Sequence, residues 1–117
     1  MTWEQRALQI WTVLLGCAQR RETIRYEALA ELIGFDGPAD RLAEPLGRVM
    51  RLCEKMGIPP LTVLVVNQHG KPSDGLITSQ DFDQDRENVY AYPWHRLPPV
   101  ATQDLTHPWR MPVSAQN

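Results

Sequence analysis

The stretch that decides the fold is "IPPLTVLVVNQHGKPSDGL", residues 58–76. Two prolines prevent a helix from entering it, and the apolar, β-branched run "LTVLVV" at 61–66 is typical of a buried strand. A polar turn with two glycines follows, and "GLITS" at 75–79 has the composition of a short return strand. We therefore predict a β-hairpin whose turn spans residues 67–75.

Three helical patterns precede this stretch. Apolar residues recur at three- and four-residue steps over residues 3–19, with Thr2 as the expected N-cap and Gln5 as its capping-box partner. After the short extended segment "TIRY", a second helix runs to Gly34, which suits a left-handed C-cap. A third helix is expected to begin at Glu44 or Pro45, after a helical turn at 39–43, and to end at Gly57, because proline is tolerated only in the first turn.

A fourth helix is expected after the hairpin, with Asp81 as its N-cap and Phe82 and Val89 toward the core. Residues 98–117 contain four prolines and predict an extended C-terminal tail. Two helices joined by a short turn and followed by a hairpin have the order of a winged helix–turn–helix. The predicted fold class is therefore α+β, a winged helix–turn–helix-like domain over 1–97, with three to four helices and a β-hairpin wing.

Composition limits the classes of function. The chain has 117 residues and a net charge of −2, so no strong overall field attracts it to nucleic acid or anionic lipid. Cys17 and Cys53 lie in apolar helical patterns, which indicates buried free thiols of a cytoplasmic protein. The N-terminus lacks the pattern of a signal peptide, and no apolar run reaches the ~18–20 residues of a membrane span.

The segment "RETIRYEALAELIGFDGPADRL…VVNQHGKPSDGL" resembles the DNA-binding C-terminal domain of O6-alkylguanine-DNA alkyltransferases and alkyltransferase-like proteins. That family begins its second helix with Thr-Tyr-Gly-Glu-Leu-Ala. Matching positions here are Tyr26, Leu29, Ala30, Ile33, Gly34, Val65, Val66, Gly70 and Gly75. The resemblance covers about residues 23–78 and implies a winged helix that binds DNA, with Arg41 at the place of the arginine that enters the minor groove and replaces a flipped base.

This chain departs from the family at the reactive centre. Where the family has Pro-Cys-His-Arg-Val-Val, the present sequence has Thr62 for the cysteine, Val63 for the histidine and Leu64 for the arginine. A threonine hydroxyl without a neighbouring base is a poor nucleophile at neutral pH. We therefore predict no alkyl transfer and no enzyme activity, and DNA binding stays open because alkyltransferase-like relatives also lack the cysteine.

Candidate DNA contacts are basic residues on the third helix and in the wing turn. On the helix they are Arg48, Arg51 and Lys55, with Arg41 one turn further back; in the turn they are His69 and Lys71. Lysine and arginine at three- and four-residue steps can follow phosphates along a groove. The alternative is a solvated helix face whose charge is offset by Glu44 and Glu54, and a turn without a ligand.

The sequence has no pattern typical of a metal site, a catalytic site or a cofactor site. His95 and His107 have no ligand partners at metal-site spacing, and "DFDQD" at 81–85 lacks the glycine and distal glutamate of a calcium loop. No catalytic triad, phosphate loop or dinucleotide fingerprint is present. We predict no catalytic residue, no metal and no cofactor.

Two functions remain. The first is a non-enzymatic winged-helix module that binds or regulates at DNA. The second is a small protein–protein adaptor or inhibitor, of the kind found in phages and mobile elements, that blocks or regulates a larger complex through Trp94, Trp109 and the prolines of the tail. The sequence leaves the partner, and the choice between a monomer and a homodimer, open.

Overall fold

A computed structural model describes residues 1–70 and 82–106. Within these ranges lie four α-helices: α1 at Trp3–Arg20, α2 at Tyr26–Leu32, α3 at Ala43–Met56 and α4 at Phe82–Ala91. Two short strands, β1 at Ile24–Arg25 and β2 at Val65–Val66, form the sheet, and 3-10 turns occupy 39–42, 61–64, 94–96 and 102–105. The described part of the chain is a mostly helical globule.

The ends of α1 and α3 follow from their flanking residues. The Thr2 hydroxyl accepts from the Gln5 amide at 3.1 Å, and the Gln5 side chain accepts from the Thr2 amide at 2.9 Å, which confirms the predicted capping box. Pro45 lies in the first turn of α3, after a 3-10 turn, as predicted. Gly57 ends α3 with a positive φ of 67°, a conformation that costs a residue with a Cβ more than glycine.

The predicted hairpin is wrong for the described strand. β2 pairs with β1 in parallel, with Ile24 opposite Val65 and Arg25 opposite Val66. The short segment "TIRY", predicted as an extended link or a brief strand, is thus the partner of β2. The predicted return strand at 75–79 lies outside the described residues.

The six-residue apolar run is not one strand either. Residues Leu61–Leu64 form a 3-10 turn, because the carbonyl of Pro60 accepts from the amide of Val63 at 3.1 Å. Only Val65 and Val66 extend into the sheet. The run is nevertheless buried throughout, as its composition predicts, because α1, α3 and α4 all pack against the 3-10 turn.

The core lies mainly between α1 and α3. Ile10 and Leu14 of α1 and Leu46, Val49 and Met50 of α3 are completely buried. Trp94 covers one side of this core. Its ring packs edge-on against Trp11, with 6.2 Å between the ring centroids, and its indole N–H donates to the carbonyl of Val89 at 2.7 Å. Leu105 is also completely buried, so part of the segment assigned to the tail, 98–106, packs on α1 and α3.

Candidate nucleic-acid interface

The exposed side of α3 carries the basic residues predicted from the sequence. Arg51 and Lys55 are exposed on α3, and Arg41 is exposed in the 3-10 turn that leads into it. In residues 1–70 and 82–106, none of these three side chains forms an ion pair or a hydrogen bond. Within the part of the chain that the structure describes, these three cations have no partner and are available to an external anion.

Arg48 lies apart from the other three. Its side chain is only 8% exposed, and its Nη1 donates to the carbonyls of Leu105 at 3.0 Å and Thr106 at 2.8 Å. The same guanidinium binds the carboxylates of Glu4 at 3.3 Å and Glu44 at 3.1 Å. Since these partners occupy both Nη atoms, Arg48 joins the first turn of α1, α3 and residues 105–106, and its guanidinium does not face an external phosphate.

The carboxylate of Glu4 is held in its charged form at this junction. Its pKa lies below the ordinary value, chiefly because a backbone N–H of the first turn donates to it. The Thr2 hydroxyl and the charge of Arg48 lower the pKa further, and partial desolvation opposes them. Arg48, Glu4 and Glu44 therefore form an internal ion network. Arg48, predicted as a DNA contact, stabilises the fold instead.

The turn after β2 is described as far as Gly70. The backbone amide of Gly70 donates to the carbonyl of Asn67 at 2.9 Å, and the backbone amide of His69 donates to the Asn67 side chain at 2.8 Å. His69 is exposed, and its ring nitrogen lies 3.4 Å from the side-chain nitrogen of Gln68. Lys71, the second predicted contact of this turn, lies outside the described residues.

Arg25 is a candidate that sequence reasoning missed. The parallel register places it opposite Val66, immediately before the turn that carries His69. Its side chain is exposed and forms no ion pair with any part of the chain that the structure describes. Nothing in "TIRY" indicates this neighbour, because the two strands are about forty residues apart in sequence and meet only through the sheet.

Thr62, which the resemblance aligns with the alkyltransferase nucleophile, lies inside the core. Thr62 is completely buried, as is Leu64, and its hydroxyl has no hydrogen-bond partner among the described residues. Cys53, on the preceding helix, is also inaccessible, and burial raises the pKa of its thiol to about 12. Neither group can act as an accessible nucleophile at neutral pH.

The remaining groups singled out in the sequence are described only in part, because His107 and the expected N-cap Asp81 lie outside the described residues. In the described ranges, no group of three or more His, Cys, Asp or Glu side chains is close enough to hold a metal ion. His95 is exposed in a 3-10 turn, and Asp83 and Asp85 lie in the first turn of α4. None of the helices in residues 1–70 and 82–106 is long and apolar enough to cross a bilayer.

A separate apolar groove lies between α1 and residues 94–100. It encloses about 220 Å³. Leu8, Trp11, Thr12 and Leu15 line it from α1, and Trp94 and residues 97–100 line it from the other side. Trp94, predicted as part of a partner surface, is thus mostly core, but it contributes to the floor of this groove.

Comparisons with protein families, with curated proteins and with solved structures find no match to this chain. The resemblance to alkyltransferases therefore rests on the residues quoted above.

Proposed function

We propose that this chain is a non-enzymatic DNA-binding module of the helix–turn–helix type, with the parallel strand pair and the turn after β2 in the place of a hairpin wing. In this arrangement α2 and α3 are the two helices of the motif, and α3 is the one that approaches DNA. The observation that carries the proposal is the group Arg41, Arg51 and Lys55: three exposed cations on or directly before α3 that form no ion pair within the described residues.

The shape of α3 supports a close approach to DNA. Its buried face includes Leu46, Val49 and Cys53, so the side turned outward begins with Ala43 and Gly47, which present little or no side chain. Arg51 lies eight residues beyond Ala43, about 12 Å along the axis of α3, and Arg41 precedes Ala43 in the 3-10 turn. That span is similar to the ~12 Å width of the major groove, so the two guanidinium groups can contact phosphates on its opposite edges.

The proposed mechanism is occupancy of the DNA and not chemistry on it. With Thr62 inside the core and the Cys53 thiol protonated, the described residues offer no accessible nucleophile at the family's reactive position. His69 in the turn and Arg25 beside it supply a second set of contacts to the backbone, in the place of a wing. Bound in this way, the protein shields or marks the DNA for other factors.

The test is DNA binding of an Arg41→Gln, Arg51→Gln double variant at several salt concentrations. If both residues contact phosphates, the slope of log Kobs against log[salt] becomes shallower by about 2, since each phosphate contact contributes roughly 0.9 on duplex DNA. The measurement is fluorescence anisotropy on a labelled duplex of mixed sequence.

The matched control is Arg20→Gln with Arg96→Gln. Both arginines are exposed, and their substitution removes the same charge as in the test variant. They lie away from α3, at the end of α1 and in the 3-10 turn at 94–96. An equal loss of DNA binding in both double variants would show that binding depends on net charge alone. It would refute the proposal that α3 is the helix that contacts DNA. Binding that neither pair changes would refute it as well.

A second candidate function is a protein–protein adaptor, which the apolar groove between α1 and residues 94–100 favours. Deleting 98–117 is unsuitable as a test, because it removes the buried Leu105 and the two carbonyls that Arg48 binds. A Thr12→Arg variant places a charge on the rim of the groove and leaves the core intact. Loss of a protein partner in this variant, with unchanged DNA binding, would support the adaptor. Unchanged binding of that partner to the Thr12→Arg variant would reject it.

A further inference from the structure

The groove between α1 and residues 94–100 has the size and character of a site for one large apolar side chain. Trp11 and Trp94 form its buried floor, Leu8 and Leu15 one wall, and Pro98 and Val100 part of the other. Its volume of about 220 Å³ is below the ~300–1,000 Å³ typical of small-molecule pockets. Among the described residues that line it, Thr12 is polar, none is charged and the others are apolar or aromatic, so an apolar side chain is favoured.

The last described residue, Thr106, lies beside the first turn of α1, close to the groove. The Arg48 guanidinium binds the carbonyl of Thr106 at 2.8 Å and the carboxylate of Glu4 at 3.3 Å, which places Thr106 beside the first turn of α1. Glu4, Leu8 and Thr12 are spaced by four residues and therefore lie on one stripe of the helix. The chain beyond Thr106 thus starts one helical turn from Leu8.

The residues that follow fit the groove in length and chemistry. Residues 107–113 read "HPWRMPV" and include a tryptophan, a methionine, a valine and two prolines. Trp109 is three residues beyond Thr106, a reach of up to about 10 Å. Along α1, Leu8 and Thr12 lie about 6 and 12 Å beyond Glu4, so the indole can reach the segment between them.

We propose that the groove is the docking site of this chain's own C-terminal segment, residues 107–113, with Trp109 as the anchor between α1 and residues 97–100. Tryptophan is well suited to this role because it brings a large apolar area at a small cost in side-chain entropy. Arg48 acts as a positioning residue, since it fixes the point from which the segment starts. The inference is independent of DNA binding by α3.

Docking within one chain is favoured over capture of a second copy. A short connection from Thr106 keeps Trp109 at an effective concentration in the millimolar range, well above the micromolar protein concentrations of ordinary solutions. A protein partner with a similar Trp- or Pro-containing segment would have to displace residues 107–113.

The experiment is NMR of the full chain with methyl-labelled leucine and valine. We expect nuclear Overhauser contacts between the Trp109 indole and methyl groups of Leu8, Leu15 and Val100, with upfield shifts of these methyls from the indole ring current. Trp109→Ala removes the contacts and shifts the groove methyls back. Gln116→Ala, beyond the proposed segment, is the matched control and leaves them unchanged.

A variant on the groove side separates docking from loss of folding. Thr12→Arg blocks the rim; we expect it to abolish the Trp109 contacts while the methyls of Leu29 and Val49, in the core away from the groove, keep their shifts. Absence of any contact between Trp109 and the groove methyls in the wild-type chain would overturn the proposal. Contacts that appear only between labelled and unlabelled molecules in a mixed sample would also overturn it and assign the groove to a second copy of the chain.

Discussion

At the scale of single residues, Arg48 shows how one position can satisfy a sequence pattern and serve a different purpose. It falls in the basic row of α3, yet its guanidinium is buried against Glu4, Glu44 and two backbone carbonyls. A buried, hydrogen-bonded charge of this kind holds elements in place, and removing it leaves its partners without a donor.

We expect Arg48→Met to lower the free energy of unfolding by about 1–3 kcal/mol, because the carbonyls of Leu105 and Thr106 lose their charged donor while the aliphatic stem is kept. The control is Arg51→Met, one turn further along α3 and exposed, for which a change within about 0.5 kcal/mol is expected. Urea unfolding followed by circular dichroism gives both values. Equal values for the two variants would contradict the structural role of Arg48.

The Glu4 carboxylate makes part of this stability dependent on pH. Its pKa in the folded chain is lowered, so its contribution is fully present above the pKa of the unfolded chain and is lost as the pH falls through the folded value. We therefore expect the free energy of unfolding of the wild type to exceed that of Glu4→Gln near neutral pH and the two to converge in acid. Glu31→Gln, exposed on α2, is the control, and a difference between wild type and Glu4→Gln that persists at low pH would contradict the assignment.

At the scale of elements, the ends of helices are set by local backbone geometry and the sequence indicates them well. Gly57 stops α3 in a left-handed conformation and Gly16 lies inside α1, where its helical geometry suits any residue. The same substitution therefore has opposite consequences at the two positions.

Gly57→Ala is expected to destabilise the fold by about 1 kcal/mol, because a Cβ is disfavoured at positive φ although open space surrounds it. Gly16→Ala is expected to stabilise it by up to about 1 kcal/mol through helix propensity, since the new Cβ meets only the flexible end of Arg20 at 3.0 Å. Thermal unfolding of both variants tests the pair. Changes of the same sign would contradict the expectation.

Pairing of the short strands lies beyond what local signals indicate. The run at 61–66 predicts burial correctly, but its division into a 3-10 turn and a two-residue strand depends on Pro60 and on the helices packed around it. The sequence predicts that this strand pairs with the next segment along the chain. In the structure β2 pairs instead with β1, which precedes α2 and α3. Two residues per strand carry too little pattern to select a partner.

At the scale of the whole molecule, the boundary of the folded unit follows packing and not proline content. Residues 98–106 are Pro-rich at their start, yet Leu105 is completely buried and Arg48 holds its carbonyl. The segment closes the same core as α1 and α3.

We therefore expect two truncations to differ strongly. A chain that ends at Thr106 retains Leu105 and the Arg48 contacts and is expected to unfold cooperatively. A chain that ends at Leu97 loses both and is expected to lose at least about 2–5 kcal/mol, the cost of removing a buried leucine. Urea unfolding of the two chains makes the comparison, and similar unfolding free energies would show that 98–106 adds nothing to the fold.

The sequence by itself determined the helices, the capping box of α1, the end of α3 at Gly57 and the burial of 61–66, because these depend on residues a few positions apart and on hydrophobic periodicity. Only the tertiary structure decided that β2 pairs in parallel with β1, that Arg48 points inward, and that Arg25 lies beside the turn of His69. Each of these depends on contacts between residues about forty or more positions apart, and such contacts are selected by how the whole core packs.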